Sequence, residues 1–182
     1  MKGNRAVLIA VVVVVLIVAG WWLFSRGGGG SSVDLIEQFP TAVKKPAEGK
    51  FDIVDIALNG ESKRAIAMSA PTRITWKVRI PDDAWLSVSL GMRPETWDKE
   101  GDGVYFYVGV SDGKLYEDLF TQHVHPQANQ GDRKWTPLMV DLSAYAGEEM
   151  EVHFNAVNSR PNTPHDSRND EALWGAPQII VR

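Results

Sequence analysis

The sequence predicts an all-β protein, an antiparallel jelly-roll β-sandwich preceded by one N-terminal transmembrane helix. Three observations support this prediction: a long uncharged apolar run near the N-terminus, apolar residues that alternate with polar ones from residue 51 onward, and turn dipeptides between the alternating segments. Helical periodicity is nearly absent after residue 51, so two packed sheets are favoured over a βαβ fold. The predicted strands cover residues 51–58, 63–68, 73–80, 85–92, 104–111, 114–120, 135–142, 151–157 and 173–181.

The apolar run covers residues 6–24, nineteen residues without a charge. As a helix rising about 1.5 Å per residue it would be about 28 Å long, close to the thickness of the hydrocarbon core of a bilayer. Lys2 and Arg5 precede the run and only Arg26 follows it closely, and this excess of positive charge before the span predicts a cytoplasmic N-terminus. The sequence therefore predicts a single-pass membrane protein whose C-terminal domain lies outside the cytoplasm.

The distal end of the run favours a retained anchor. Trp21 and Trp22 lie there, and indole rings suit the headgroup region of a bilayer. The alternative is a secretory signal peptide, because the small residues at 18–20, Val-Ala-Gly, offer a place where a signal peptidase could cut.

Composition divides the chain into three parts. Residues 1–26 form the cytoplasmic tip and transmembrane anchor, residues 27–50 a flexible linker and the segment that leads into the domain, and residues 51–182 the β-sandwich ectodomain. The linker begins with Gly-Gly-Gly-Gly-Ser-Ser, which imposes almost no conformational constraint. The chain has no cysteine, so the ectodomain has no disulfide and must be stabilised by its hydrophobic core.

The charge of the ectodomain argues against nucleic acid as a partner. All twenty-three Asp and Glu residues lie after Ser32, together with sixteen Lys and Arg, which gives this part of the chain a net charge of −7. The two signs are interspersed, which is typical of a solvated surface. The membrane is the partner that the N-terminal run predicts.

Two predicted strands show their buried and solvated faces directly. In residues 72–80, alternation predicts a buried set of Ile74, Trp76, Val78 and Ile80. In residues 151–157, alternation predicts a solvated set of Glu151, His153 and Asn155. Each strand should therefore contribute one face to the core and one to water.

Three stretches resemble one known group of domains. Residues 135–157 read W-T-P-L-M-V-D-L-S-A-Y-A-G-E-E-M-E-V-H-F-N-A-V, residues 172–180 read A-L-W-G-A-P-Q-I-I, and residues 101–113 read G-D-G-V-Y-F-Y-V-G-V-S-D-G. These stretches resemble parts of the galactose-binding-domain-like jelly rolls, a group that includes many carbohydrate-binding modules. The resemblance covers about residues 51–182. It implies a jelly-roll fold, a carbohydrate-binding role and a structural calcium ion near one end of the sandwich.

Two residues inside the resemblance have structural explanations. Trp174 lies within an apolar strand and is expected in the core. Pro177 lies in the same strand, where proline is tolerated at an edge or a bulge.

Two segments could bind a metal ion. His123 and His125 would point to the same side of a strand and could chelate a transition metal. Residues 158–171 are rich in oxygen-bearing side chains and could supply some of the roughly six to eight oxygens that Ca²⁺ needs. The alternatives are exposed or satisfied histidines and a solvated, turn-forming loop, so no cofactor is expected apart from the structural calcium that the resemblance implies.

Sugar binding calls for aromatic faces that cover C–H surfaces and for planar polar groups that hydrogen-bond hydroxyls. Tyr116 and Gln127 are of these types, and Trp97, in a loop rich in charge, is expected to be the most exposed aromatic. The candidate ligand-binding residues are Trp97, Arg93, Tyr105, Tyr107, Asn129, Arg160 and Asn162.

Catalysis has little support in the sequence. There is no cysteine nucleophile, no G-x-S-x-G, no H-E-x-x-H and no glycine-rich phosphate loop. The sequence therefore predicts a non-catalytic, membrane-anchored binding module outside the cytoplasm, with carbohydrate as the leading ligand. The alternative is a protein-interaction or assembly module of the cell envelope, including an oligomeric surface structure.

Overall fold

The computed structural model describes residues 32–158 and 166–182. These residues contain eleven strands and four short 3₁₀ helices. The strands are β1 Val33–Asp34, β2 Val43–Lys45, β3 Phe51–Leu58, β4 Glu61–Ser69, β5 Thr72–Arg79, β6 Ala84–Met92, β7 Val104–Ser111, β8 Tyr116–Val124, β9 Thr136–Asp141, β10 Glu149–Val157 and β11 Glu171–Val181. The 3₁₀ helices are Phe39–Thr41, Pro94–Thr96, Gln130–Asp132 and Ser143–Tyr145. None of these helices is long and apolar enough to cross a bilayer. The predicted anchor at 6–24 lies outside the described residues.

The strands form two antiparallel sheets. One sheet has six strands in the order β3-β4-β11-β6-β9, with β1 pairing β11, and the other has five in the order β2-β5-β10-β7-β8. Buried side chains of both sheets belong to one hydrophobic cluster between them. The predicted antiparallel β-sandwich is therefore confirmed.

Four aromatic side chains fill the centre of this core. Trp174 of the six-stranded sheet stacks on Phe154 at 4.3 Å between ring centroids and meets the edge of Phe106 at 4.9 Å. Trp76 packs edge-on against Phe154 at 5.0 Å. Trp76 is 1% exposed, and its indole N–H donates to the carbonyl of Leu35 over 3.1 Å. The predicted burial of Trp76 and Trp174 is thus confirmed.

The predicted start of the folded domain at residue 51 is wrong. The compact unit begins at Ser32, and within it β1 pairs with β11 and β2 with β5. Leu35 is fully buried in the core, and the Asp34 carboxylate accepts a hydrogen bond from the backbone N–H of Ile36 at 2.7 Å, which turns the chain inward. Residues 33–50 therefore belong to the sandwich, and residues 27–31 of the predicted linker lie outside the described residues.

Pro177 lies at an irregularity of β11, as its sequence context allows. The register against β6 shifts between Gly175 and Gln178, and Ala176 there has a φ of 45°. Because the ladder is interrupted at this point, a residue without an N–H costs no strand pairing.

A second, smaller core covers the outer face of the six-stranded sheet. It consists of Leu58, Ala65, Ala67, Trp135 and Leu173. Trp135 approaches the sheet backbone so closely that a Cβ on Gly175 would lie 2.8 Å from its ring. The outer face of the five-stranded sheet carries polar and aromatic side chains instead.

Candidate functional site

The outer face of the five-stranded sheet gathers aromatic and planar polar side chains in three cross-strand rows. These side chains alternate along β7 with Phe106 and Val108, which point into the core. We call this surface the tyrosine face. Its middle row is Lys45, Arg73, Asn155, Tyr107 and Thr121; one flanking row is Thr75, His153, Gly109 and Asp118, and the other is Val157, Tyr105 and His123.

The middle row runs straight across all five strands. Each of its residues is the direct cross-strand partner of the next, from β2 to β8. With strands about 4.8 Å apart, the row spans about 19 Å. It is long enough to contact an extended ligand at several points.

One end of the tyrosine face is a stacked pair of rings. The Tyr105 and His123 rings are nearly parallel, 10° apart, with centroids separated by 4.2 Å. The Nε2 atom of His123 lies 2.7 Å from the backbone carbonyl of Asp102, so this nitrogen carries the proton and donates it. This hydrogen bond holds the stacked pair in one orientation.

The Tyr116 ring lies across the middle of the sheet. A Cβ on Gly109 would overlap the Tyr116 hydroxyl, so glycine at this position leaves room for the ring. The hydroxyl donates to Asp118 Oδ1 at 2.7 Å and accepts from Asn155 Nδ2 at 3.3 Å. Burial, followed by the hydrogen bond to Asp118, raises the pKa of Tyr116 to about 12.

Arg73 and Asn155 form the polar centre of the face. Arg73 Nε donates a short hydrogen bond to Asn155 Oδ1, and its guanidinium carbon lies 5.7 Å from the centre of the Tyr116 ring. Both ends of the Asn155 amide are therefore engaged, which fixes its orientation.

His153 lies beneath this centre. Its Nδ1 atom is 2.9 Å from Thr75 Oγ1, and its Nε2 atom is 3.6 Å from a carboxylate oxygen of Glu151 and has no hydrogen-bond partner. Burial is the main cause that lowers the pKa of His153, and the positive charge of Arg73 lowers it further.

The predicted exposure of His153 and Asn155 to water is wrong. Both side chains point to the outer face, as their alternation predicts, but they are only 5% and 6% exposed. Tyr116 from β8, two strands away in the sheet, packs beside His153 at 5.4 Å between ring centroids and hydrogen-bonds Asn155, so its ring shields both side chains from solvent.

Trp97 is not the exposed aromatic that its charged loop predicts. Its backbone N–H donates to the Pro94 carbonyl at 3.2 Å, which folds the chain back, and its half-buried indole packs against both hydrophobic cores. The indole N–H donates to the Met92 carbonyl at 2.9 Å. Arg133 lies over the ring at 5.9 Å. A contact between Trp97 and a ligand remains a prediction.

The other predicted residues do not gather in one place. Tyr105 and Tyr107 share the tyrosine face, whereas Arg93 and Asn129 lie in loops. Arg93 Nε is 4.0 Å from a Glu171 carboxylate oxygen. Asn129 uses its side chain locally, accepting from Gly131 N at 3.0 Å and donating to Asp132 Oδ1 at 2.9 Å. Arg160 and Asn162 lie outside the described residues.

Four residues of the tyrosine face were not predicted from the sequence as ligand-binding residues: Arg73, Thr121, His153 and Asn155. Their outward direction follows from alternation, but their proximity depends on the pairing of β5, β10, β7 and β8. That order joins segments far apart in the chain, which alternation alone does not give.

The predicted histidine pair lies at the edge of this site. The His123 and His125 rings are 5.6 Å apart, and His123 already uses Nε2 for the Asp102 carbonyl. Among residues 32–158 and 166–182, no three or more His, Cys, Asp or Glu side chains form a group that could hold a metal ion.

Two carboxylates could supply some of the ligands of the calcium ion that the resemblance implies. Asp170, 3% exposed, has no hydrogen-bond partner on either carboxylate oxygen, and Asp102 Oδ1 is also buried without a partner. Burial raises the pKa of Asp170 to about 8, and the negative charge of Asp102 adds to this effect. Carboxylate oxygens are ligands of hard cations, so the donor chemistry suits Ca²⁺, although these two residues alone are too few.

Comparison of the sequence with those of known proteins identifies a relative of similar sequence. No family model matches the chain. A protein of Archaeoglobus fulgidus, described as an uncharacterized protein, is 34% identical over 131 residues, which is 71% of this chain and 30% of that protein. This chain therefore spans less than one third of that curated relative.

Solved structures that resemble this fold include carbohydrate-binding modules. The CBM51-2 and INT domains of ZmpB from Clostridium perfringens match with a TM-score of 0.61 at 16% identity, over 83% of this chain and 32% of that one. The CBM51 module of a GH95 protein from the same organism, solved in complex with methyl-galactose, matches with a TM-score of 0.57 at 16% identity, over 82% of this chain and 100% of that one. At this identity the likeness shows the fold alone, so the chain has the β-sandwich fold of these modules.

Proposed function

We propose that this protein is a non-catalytic carbohydrate-binding module, anchored in a membrane by residues 6–24 and displayed outside the cytoplasm. The observation that supports it best is the middle row of the tyrosine face, where the guanidinium of Arg73, the ring of Tyr107 and the hydroxyl of Thr121 lie in register across the sheet. Such a row offers repeated contacts to a repeating polymer.

The chemistry of the tyrosine face suits sugars. Tyr105 and Tyr107 are half-buried, which fixes the rings while leaving part of each in water to cover the C–H surface of a pyranose. The Arg73 guanidinium is exposed and is held in one plane by Asn155, and such a preorganised group binds hydroxyls with little loss of side-chain entropy. Thr121, at the end of the row, adds a hydroxyl that can both donate and accept.

The comparisons add support of a different kind. Modules of the same fold include one solved in complex with methyl-galactose. Because a fold carries many functions, this likeness raises the expectation of a sugar ligand without naming its residues.

The membrane anchor rests on the sequence. The length of the uncharged run suits a bilayer span, and the positive charges before it orient the N-terminus toward the cytoplasm. The folded unit that begins at Ser32 would then be tethered to the membrane through the residues before it.

A calcium ion would have Asp102 and Asp170 among its ligands. When bound, it would neutralise two buried carboxylates and stabilise the loops that carry them. Oxygens from other groups would have to complete its coordination.

A glycan array screened with the full-length chain in detergent micelles tests the proposal. We expect saturable binding to one class of glycan, weakened about tenfold or more by Tyr107→Ala, since a central aromatic contact is worth about 1–3 kcal/mol. Trp85→Ala is the matched control, because Trp85 is a half-buried outward aromatic of the other sheet, against Arg182. Absence of binding to any glycan, with co-purification of one envelope protein, would replace this function by the protein-interaction role.

A further inference from the structure

Two cations lie directly opposite each other on the tyrosine face. Lys45 of β2 and Arg73 of β5 are cross-strand partners on the outer side of the sheet, and both are exposed. Like charges at directly opposed positions destabilise a sheet. The rest of their row, Asn155, Tyr107 and Thr121, carries no carboxylate that would offset the repulsion.

The other cations of β5 have acidic neighbours. Lys77 pairs with Glu149 at 2.8 Å, and Arg79 is the cross-strand partner of the same glutamate. In the part of the chain that the structure describes, Lys45 and Arg73 form no ion pair. The uncompensated positive charge is therefore confined to the end of the face where the aromatic and amide groups begin.

The positive charge of Lys45 and Arg73 acts on His153, in the neighbouring row of the tyrosine face. After burial, the positive charge of Arg73 lowers the pKa of His153, and Lys45 contributes in the same direction, against an opposing effect from Glu151. The potential at this end of the face is thus positive, although the domain as a whole is acidic.

The Arg73 side chain is positioned to bind an anion. Its Nε is held by Asn155, which fixes the plane of the guanidinium, while neither Nη atom makes a hydrogen bond to another described residue. A guanidinium presented in this way can bind a carboxylate or a sulfate through two parallel hydrogen bonds.

We propose that Lys45 and Arg73 form a subsite for the negatively charged group of an acidic polysaccharide. This inference rests on the proposed function and specifies its ligand class: the anionic group binds between the two cations, and the neighbouring sugar units lie along Tyr107 and Thr121. The shared chemistry is that of a carboxylate or a sulfate on a sugar.

Binding of the full-length chain in detergent micelles to two forms of one polymer tests the proposal. Polygalacturonate and its fully methyl-esterified form share one sugar backbone, but the ester replaces each carboxylate by a neutral group; κ-carrageenan and its desulfated form provide the corresponding comparison for sulfate. We expect binding to one charged form at least tenfold tighter than to its neutral counterpart, a difference of about 1.4 kcal/mol. We also expect this preference to fall as salt screens the cations.

Arg73→Gln and Lys45→Gln should each remove most of the charge preference. Arg79→Gln is the matched control, an exposed arginine on the same face of the same strand about 20 Å away, and it should bind like the parent. Because Arg73 also holds Asn155, thermal melting of each variant separates lost binding from lost folding. Lys45 makes no such contact within the face, so Lys45→Gln removes the charge without releasing Asn155.

The outcomes separate this inference from the function on which it rests. Equal affinity for charged and neutral forms, with binding still lost in Tyr107→Ala, would overturn the anionic subsite and leave carbohydrate binding in place. Absence of binding to any glycan would overturn both. Retained charge preference in Arg73→Gln and Lys45→Gln would overturn the assignment of these two residues.

Discussion

The Tyr116 ring lies over the backbone of Gly109, in the space that any other residue at position 109 would fill. Gly109→Ala should therefore displace the ring and break its hydrogen bonds to Asp118 and Asn155. We expect a loss of about 1–3 kcal/mol in the free energy of unfolding, the usual range for overpacking, measured by chemical denaturation.

A double-mutant cycle provides the control for this prediction. In a Tyr116→Ala background the space is empty, so Gly109→Ala should cost less than about 0.5 kcal/mol. Equal costs in the two backgrounds would show that the ring does not occupy the space above Gly109.

Trp97 should act mainly as a structural residue. Its indole packs on both hydrophobic cores and donates to the Met92 carbonyl, so Trp97→Ala should cost about 3–5 kcal/mol, as for other large aromatic truncations, reduced in proportion to its partial exposure. Thermal melting and glycan binding measured on the same variant distinguish the roles. A stable variant with weakened binding would instead make Trp97 a ligand contact.

His153 should make stability depend on pH below neutrality. Its folded pKa lies below the ordinary value of 6.5, so the unfolded chain binds the proton more readily. The stability that the neutral ring provides is complete above pH 6.5 and is lost as pH falls through 6.5 toward the folded pKa. The groups that face the ring are Thr75, Glu151, Arg73, Lys45 and Tyr116.

The test compares His153→Gln with the parent between pH 7.5 and 5. We expect the variant to lose less stability over this range, because it has no imidazole to protonate. An identical decline in the two proteins would mean that other groups determine the acid sensitivity.

Calcium should stabilise the fold through Asp102 and Asp170. At a calcium concentration about 100 times the Kd, binding would add about 2.7 kcal/mol, which corresponds to a rise of about 5–10 °C in Tm for a domain of this size. Asp170→Asn should abolish most of the rise, whereas Asp55→Asn, at an exposed position of β3, should not. No rise in the parent protein would contradict a calcium site.

Local pattern was sufficient for most of the sandwich. The predicted strands at 51–58 and 104–111 have the bounds of β3 and β7, because period-two alternation and the turns beside them are encoded within each segment. Strands β1 and β2 were not predicted, since two or three residues carry no legible alternation and depend on pairing with β11 and β5.

The candidate site was less predictable for the same reason. Tyr105 and Tyr107 share a face because they are two apart on one strand, which the sequence shows. The opposition of Lys45 and Arg73 depends on strand order, and the shielding of Asn155 depends on a tyrosine from a strand two positions away in the sheet. Trp97 was placed in water because its neighbours are charged, but long-range packing outweighed that local composition.

The short strand β1 determines how the domain would respond to mechanical load. If residues 6–24 hold the chain in a membrane, a pull on a ligand bound to the tyrosine face would be transmitted through Ser32 to a pairing of only two residues, Val33 and Asp34, with β11. Peeling the chain back as far as Leu35 would remove the carbonyl to which the Trp76 indole donates and would open the core beside it. The attachment point of the tether is therefore also where forced unfolding should begin.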